Sequence, residues 1–251
     1  MTPLDPVMVL GAYAVGVFPM ADHRSANGVY WVEPKRRAIL PLGGFRLSRS
    51  LRKVIVSNRF RVTADTAFEQ VIGLCAQSAE DRPETWISGQ IEEVFTQLHR
   101  RGHAHSVECW LGDRLVGGLY GLALGRAFFG ESMVSRERDA SKVALAWLVA
   151  RLKIGGFTLL DSQFQTDHLA SLGAIEISRA DYLGRLSSAV DGVVAGALGA
   201  AAAAGSALSP SVDAAASGDF FALDAAGRSA IDTVAAPPDG KVIAQLLGQT
   251  S

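Results

Sequence analysis

The chain has 251 residues, 49% hydrophobic and 20% charged, enough apolar material for one large domain or two smaller ones with a real core, and a soluble globular protein is expected. A formal net charge of −1 excludes a chain that is polycationic or polyanionic as a whole. Two cysteines, Cys75 and Cys109, are too few and too far apart for a disulfide framework or a zinc site.

In chain order, the apolar run from Val7 to Phe18 comes first. It follows Asp5 rather than a basic segment, holds two glycines and a tyrosine, and is far short of a membrane span. Neither export nor membrane insertion is expected, and a cytoplasmic location fits the two cysteines. The turn signals Gly28, Pro34, Pro41 and Gly43-Gly44 break up the first sixty residues and suggest a small N-terminal domain, residues 1–62. Within it the charge is uneven: Lys35 to Ala64 carries nine Lys or Arg and no acid. RRAILPLGGFRLSRSLRK sets Arg36, Arg37, Arg46, Arg49, Arg52 and Lys53 around short apolar runs. A face that only solvates a helix usually mixes signs, so a phosphate backbone is the leading partner for this stretch and a solvated edge the alternative.

A longer, more regular domain is expected over residues 63–190. TAFEQVIGLC repeats its apolar residues at helical spacing, and Ile87 to Arg101 does the same before stopping at Gly102, with Trp86 in the loop between. HSVECWL, RLVGGLYGLAL and AFFGESMVS, separated by Gly112-Asp113 and Gly125-Arg126, predict a three-stranded antiparallel meander. Asp139 is placed to cap a helix through Leu152 that ends at Gly155-Gly156. FTLLDSQF reads as a strand with Phe157, Leu159, Asp161 and Gln163 on one face. A short helix DHLASLG, a strand AIEIS and a helix RADYLGRL capped by Ser178 complete the regular part. Residues 191–251 predict an Ala/Gly-rich linker or poorly packed helix, then GKVIAQLLGQTS, which regains periodicity and can dock back on the body.

One residue stands out in this reading. Strand alternation puts Glu131 on a face with Phe129 and Met133, and an acid among apolar neighbours costs free energy unless it has a partner or a task. An exposed strand face or an ion pair is the plain alternative.

FFGESMVSR, ASKVAL, LLDSQF, HLASLGAIEISRADY, GHAHSVECW, LVGGLYGLALG, TWI, GFRLSRSLRK and AYAVGVFPMAD, in this order-specific combination, resemble the bacterial leucyl/phenylalanyl-tRNA protein transferase family. The resemblance runs from about Leu10 to Leu186. It implies an α/β (α+β) fold: a small N-terminal domain and an acetyltransferase-like (GNAT) domain with a mixed, mainly antiparallel sheet flanked by helices. It implies transfer of Leu or Phe from aminoacyl-tRNA to proteins that begin with Lys or Arg, marking them for N-degron degradation; an apolar pocket for such donors makes Met a further candidate.

An aminoacyl ester is already activated, so amide formation from it needs no cofactor or metal, only positioning and removal of a proton from the incoming ammonium. Glu131, Asp161 and Gln163 are the positions the resemblance assigns to that step. The donor side chain calls for an apolar pocket, built from Leu119, Phe128, Leu145, Leu148 and Leu160, and the 3′ adenosine for stacking surfaces at Trp86, Tyr13 and Met20. A monomer suffices for all of this.

Two other classes share parts of the pattern. An acetyl-CoA dependent N-acetyltransferase needs a glycine-rich turn opening a helix around pyrophosphate, and Arg136 to Ala140 (RERDA) has none. A non-catalytic RNA-binding module explains the basic stretch but not Glu131, Asp161 and Gln163 on adjacent strands.

Overall fold

The structure, a computed structural model, describes residues 3–77, 85–202, 217–226 and 238–248. Helix α1 (Pro6–Ala14) starts at Asp5, whose carboxylate accepts the Val7 N–H at 2.8 Å, with proline in the first turn where its missing donor costs nothing. Strands β1 (Phe18–Met20) and β2 (Tyr30–Val32) form a small antiparallel hairpin of their own. Strand β3 (Arg36–Ile39), helix α2 (Arg49–Val56) and strand β4 (Arg61–Ala64) follow. Ser48 caps α2 by accepting from the Leu51 N–H.

Helices α3 (Phe68–Cys75) and α4 (Gly89–Arg100) lead into the meander β5 (Ala104–Leu111), β6 (Arg114–Leu124) and β7 (Ala127–Ser135), joined by two-residue turns as the Gly-Asp and Gly-Arg pairs demand. Helix α5 (Ala140–Ile154) crosses over to β8 (Leu159–Gln163), and α6 (Asp167–Ser171), β9 (Ile175–Ser178) and α7 (Arg179–Ala202) follow. Short helices α8 (Ala222–Ala226) and α9 (Gly240–Gly248) close the described chain.

The main sheet has seven strands in the order β4-β5-β6-β7-β8-β3-β9, antiparallel throughout except for the β7–β8 pair, which is parallel because α5 returns the chain in the same direction. One apolar layer joins α2, α5, α8 and α9 to one face through residues such as Leu51, Leu148, Leu223 and Ile243. The other joins α1, α3, α4 and α7 to the opposite face through Tyr13, Ile72, Phe95 and Leu186. Helix α5 is buried almost all round, which its Ala, Val and Leu content allows. The result is the mixed α/β sheet with flanking helices that the sequence leads one to expect.

Several local expectations are revised. Strand β3, from before residue 62, lies inside the main sheet between β8 and β9, so the sheet draws on both sides of the expected boundary. Asp139 sits at φ 69° and makes no capping hydrogen bond; instead Ser135 Oγ accepts the Ser141 N–H at 3.3 Å. Phe157 precedes β8 and packs in the opposite layer from Leu159. Ser178 does cap α7, taking the Asp181 N–H at 3.1 Å. That helix runs on to Ala202, past the change in composition. Most of the Ala-rich segment beyond it, residues 203–216, lies outside the described residues. No helix among the described residues is long and apolar enough to cross a membrane.

Candidate active site

Strands β7 and β8 pair over only three positions, Ala127 with Leu159, Phe128 with Leu160 and Phe129 with Asp161. Beyond these they part, and a cavity of about 300 Å³ opens between them. Leu119, Leu145, Leu148, Leu160, Met20 and Trp86 line it, together with Glu131, Asp161 and Gln163 at its polar side.

Both strands are irregular where they part. Opposite β6, Ser132 faces Tyr120 and Gly130 faces Gly121, which leaves Glu131 as the extra residue of a β-bulge. The bulge reverses the alternation. Phe129 therefore packs in the α1–α3–α4 layer while Met133 leans on the α5 layer, and the expected shared face of Phe129, Glu131 and Met133 does not exist. Gly121 allows the approach: a Cβ there would lie 2.3 Å from the Phe129 carbonyl oxygen and 2.4 Å from the Phe128 ring. Between β3 and β8 the partners are Ile39 with Asp161 and Ala38 with Gln163, so Ser162 is skipped. Gln163 is held at φ 57°, and Asp161 Oδ1 fixes that turn by accepting the Gln163 backbone N–H at 2.8 Å.

The acidic pair differ sharply in their surroundings. Asp161 is fully buried and saturated: it accepts from Arg37 Nε at 2.9 and 3.0 Å, Arg37 Nη2 at 2.6 Å, Tyr182 Oη at 2.7 Å and the Gln163 N–H. Glu131 has one neutral partner, the Gln163 side-chain amide, whose Nε2 donates to Oε1 at 2.8 Å. Its Oε2 and the buried Tyr13 hydroxyl are neighbours that fall short of a well-formed hydrogen bond, and neither has another such partner among the described residues. Burial pushes the Glu131 carboxyl up to about 8; Tyr13, Arg37 and Gln163 pull the other way, and the Asp161 charge adds to the rise.

The other expected site residues divide. Phe128 does not line the cavity; it is buried in the α5 layer against Phe157 and Phe220. Tyr13 is no open stacking surface, being buried edge-on against Phe129 with ring centroids 4.9 Å apart. Arg37 has 1% exposure and faces Asp161, so it cannot follow a phosphate backbone. Arg36 is exposed but bonded to Glu176 at 3.0 Å. Arg46, Arg49, Arg52 and Lys53 remain exposed, and none has an ion pair among the described residues.

Sequence reasoning missed Phe18, Met133, Phe164 and His168, which also line the cavity, and the part played by Tyr182. The signal for Phe164 was its place directly after Gln163; it is 47% exposed and packs edge-on against Phe18. His168 is held below its ordinary range by partial burial and by Lys142.

Comparison with known proteins converges on one family. Residues 39–187 match the family model described as leucyl/phenylalanyl-tRNA protein transferase, and residues 2–35 match the model of its N-terminal domain. The leucyl/phenylalanyl-tRNA–protein transferase of Rhizorhabdus wittichii is 60% identical over 253 residues, covering 100% of both chains. That of Novosphingobium aromaticivorans is 51% identical, over 99% of this chain and 97% of the relative, and that of Zymomonas mobilis is 66% identical, over 74% and 70%. Among solved structures, L-PGS from Bacillus licheniformis superposes at a TM-score of 0.35 and 11% identity, over 67% of this chain and 55% of that one, too loosely to carry any argument. With a model of the family spanning more than half of its length and these relatives along it, the chain belongs to the leucyl/phenylalanyl-tRNA protein transferase family.

Proposed function

We propose that the chain moves Leu or Phe, with Met as a third donor, from aminoacyl-tRNA to proteins beginning with Lys or Arg, tagging them for N-degron degradation in the cytoplasm. The observation that carries this reading is the apolar cavity closed on one side by Glu131 and Gln163, where β7 and β8 part. The family relatives are named leucyl/phenylalanyl-tRNA–protein transferases.

In this reading the donor side chain enters among Leu119, Leu145, Leu148 and Leu160, with Met20 and Trp86 beside the terminal adenosine. Such a wall excludes by size alone, and a missing methylene changes selectivity by only about 1–3 kcal/mol. The exposed Arg46, Arg49, Arg52 and Lys53 follow tRNA phosphates with little sequence reading. The outer cations of the N-terminal part thus serve the tRNA, within a monomer.

The acceptor arrives as an ammonium and must become an amine. Gln163 has committed its Nε2 to Glu131, which leaves Oε1 to receive the acceptor nitrogen. In its ionised form Glu131 can take the ammonium proton: with its carboxyl raised to about 8 it is matched to an α-ammonium of ordinary pKa ~7.7–8.0, so proton transfer between them is close to even. The amine nitrogen then attacks the ester carbonyl carbon and gives up its second proton as the C–N bond forms; the bond to the ribose oxygen breaks, and that oxygen takes the proton and leaves as a hydroxyl. Asp161, with its lone pairs taken, is not a base in this scheme; it holds Gln163 in its turn.

The test is single-turnover transfer of labelled Phe from charged tRNA to an Arg-starting peptide, with acetyl-CoA in a parallel arm. Glu131→Gln and Gln163→Ala are each expected to slow amide formation by about 10²–10⁴-fold. Full-rate transfer by both variants, or acetylation without aminoacyl transfer, would overturn the reading.

A further inference from the structure

Arg37 is the point at which four separate segments meet. Its Nε and Nη2 grip Asp161 on β8, its Nη1 donates to the Gly16 carbonyl between α1 and β1 at 3.1 Å, and its guanidinium lies 4.5 Å from the Phe18 ring and 4.7 Å from the Tyr182 ring. Tyr182, on α7, donates in turn to Asp161. Phe18 is itself a wall of the cavity and packs against Phe164, next to Gln163. A buried ion pair of this kind is a weak source of net stability, because desolvation offsets most of the attraction. The planar fork, by contrast, fixes orientation at each of its contacts in a way that an ammonium cannot.

We infer that Arg37 is a positioning residue for transfer: through Asp161 it fixes the strained turn at Gln163, and through Gly16 and Phe18 it sets the N-terminal wall of the cavity against that turn. The chain reaches from β3 to the acceptor atom in three bonded steps, Arg37 to Asp161, Asp161 to the Gln163 backbone, and Gln163 to the substrate. The inference rests on the reading above, in which Gln163 receives the acceptor amine. It makes the N-terminal segment part of the chemistry rather than a separate tRNA-holding module.

Arg37→Lys keeps the charge but cannot reach both Asp161 oxygens and Gly16 together. It is expected to lower kcat about a hundredfold, the cost of a misplacement of about 1 Å, with KM for charged tRNA within about threefold of wild type. The deciding measurement is the same substitution in a Gln163→Ala background, with enzyme in excess so that the residual rate is read over hours. If Arg37 acts through Gln163, the second substitution adds nothing to the rate loss while still lowering the melting temperature. A full hundredfold further loss in that background would leave Arg37 a structural pair and overturn the inference. Should Arg37→Lys fail to fold, Tyr182→Phe takes its place in the cycle, removing one bond to Asp161 and keeping the ring under the guanidinium; a rate loss that vanishes with Gln163→Ala supports the inference, and an additive one overturns it. Wild-type rate in Gln163→Ala alone sinks the reading of the site, and this inference with it.

Discussion

Glu131 and Arg36 show how far the surroundings of a charge decide its effect. The carboxyl of Glu131 titrates near 4.5 in an unfolded chain and near 8 in the folded one, where burial disfavours its charge. Between these values the folded state holds a proton that the unfolded state has lost, so stability falls as pH rises through the window. Glu131→Gln, neutral at every pH and still able to accept from Gln163, escapes that loss. The melting temperature of the variant is expected to gain on wild type by several degrees between pH 5 and pH 8, and to level off above it. Parallel curves across that range would show that the carboxylate is not desolvated. At Arg36, whose bond to Glu176 is exposed to solvent, substitution by Ala is expected to cost less than about 1 kcal/mol. The oddness of Glu131 was legible in the strand pattern, but its cause was not. A bulge adds one residue without altering composition, so AFFGESMVS reads the same with or without it, and only the pairing with Gly121 and Tyr120 exposes the reversal.

The elements themselves divide by how local their causes are. The meander was legible because apolar alternation, two-residue turns and strand length all agree within thirty or so residues. Of the closing helices, α9 was legible in the regained periodicity of GKVIAQLLGQTS, whereas α8 was not, because its few apolar residues are diluted by the Ala and Gly around them. Phe220 and Leu223 nonetheless pack into the α5 layer, as do Ile243, Ala244 and Leu247 of α9. Arg151, at 3% exposure, is held by Asp224 through two bonds of 2.6 and 2.7 Å, with the Phe220 ring 5.4 Å away. Asp224→Asn leaves that guanidinium buried without its counter-charge and is expected to destabilise the fold by about 3 kcal/mol, read as a shifted denaturant midpoint at constant m-value. Gly240 starts α9 against the end of α2: a Cβ there would come within 2.0 Å of the Ile55 carbonyl oxygen, and Asn58 bonds its N–H at 2.9 Å. Gly240→Ala should therefore loosen α9 from α2, visible as faster hydrogen exchange in residues 241–248 with the meander unaffected. Uniform exchange rates in variant and wild type would remove α9 from any role in holding α2.

At the scale of the whole molecule the candidate site gathers β1, the loop at Trp86, the bulge of β7, the turn of β8 and a tyrosine on α7, contacts that span most of the chain and that no local pattern encodes. The resemblance to a family named three of these residues, and the fold explains why they meet: the parallel β7–β8 pair splits at Phe129 and Asp161, and both strands break register there. The same assembly divides the basic stretch, which as sequence was a single block. Arg37 was drawn inward by the buried Asp161 and Arg36 was matched with Glu176, while Arg49, Arg52 and Lys53 lie on the outer side of α2, whose inner side, Leu51 and Ile55, belongs to the layer that also supplies Leu145 and Leu148 to the cavity. A polyanion lying along α2 would thus rest on the far side of a helix packed toward the donor pocket. Only the outer cations can release counterions when tRNA binds, and each phosphate neutralised adds about 0.7–0.9 to the slope of log affinity against log salt. Arg49→Ala and Arg52→Ala are each expected to weaken binding of charged tRNA and to flatten that slope by a fraction of a unit up to about one. Arg37→Lys is expected to leave both the slope and the affinity near wild type, although it belongs to the same run of basic residues, because its charge already faces a carboxylate. Filter binding of charged tRNA at several salt concentrations separates the two groups, and an equal flattening by Arg37→Lys and Arg49→Ala would show that the division drawn from burial is wrong.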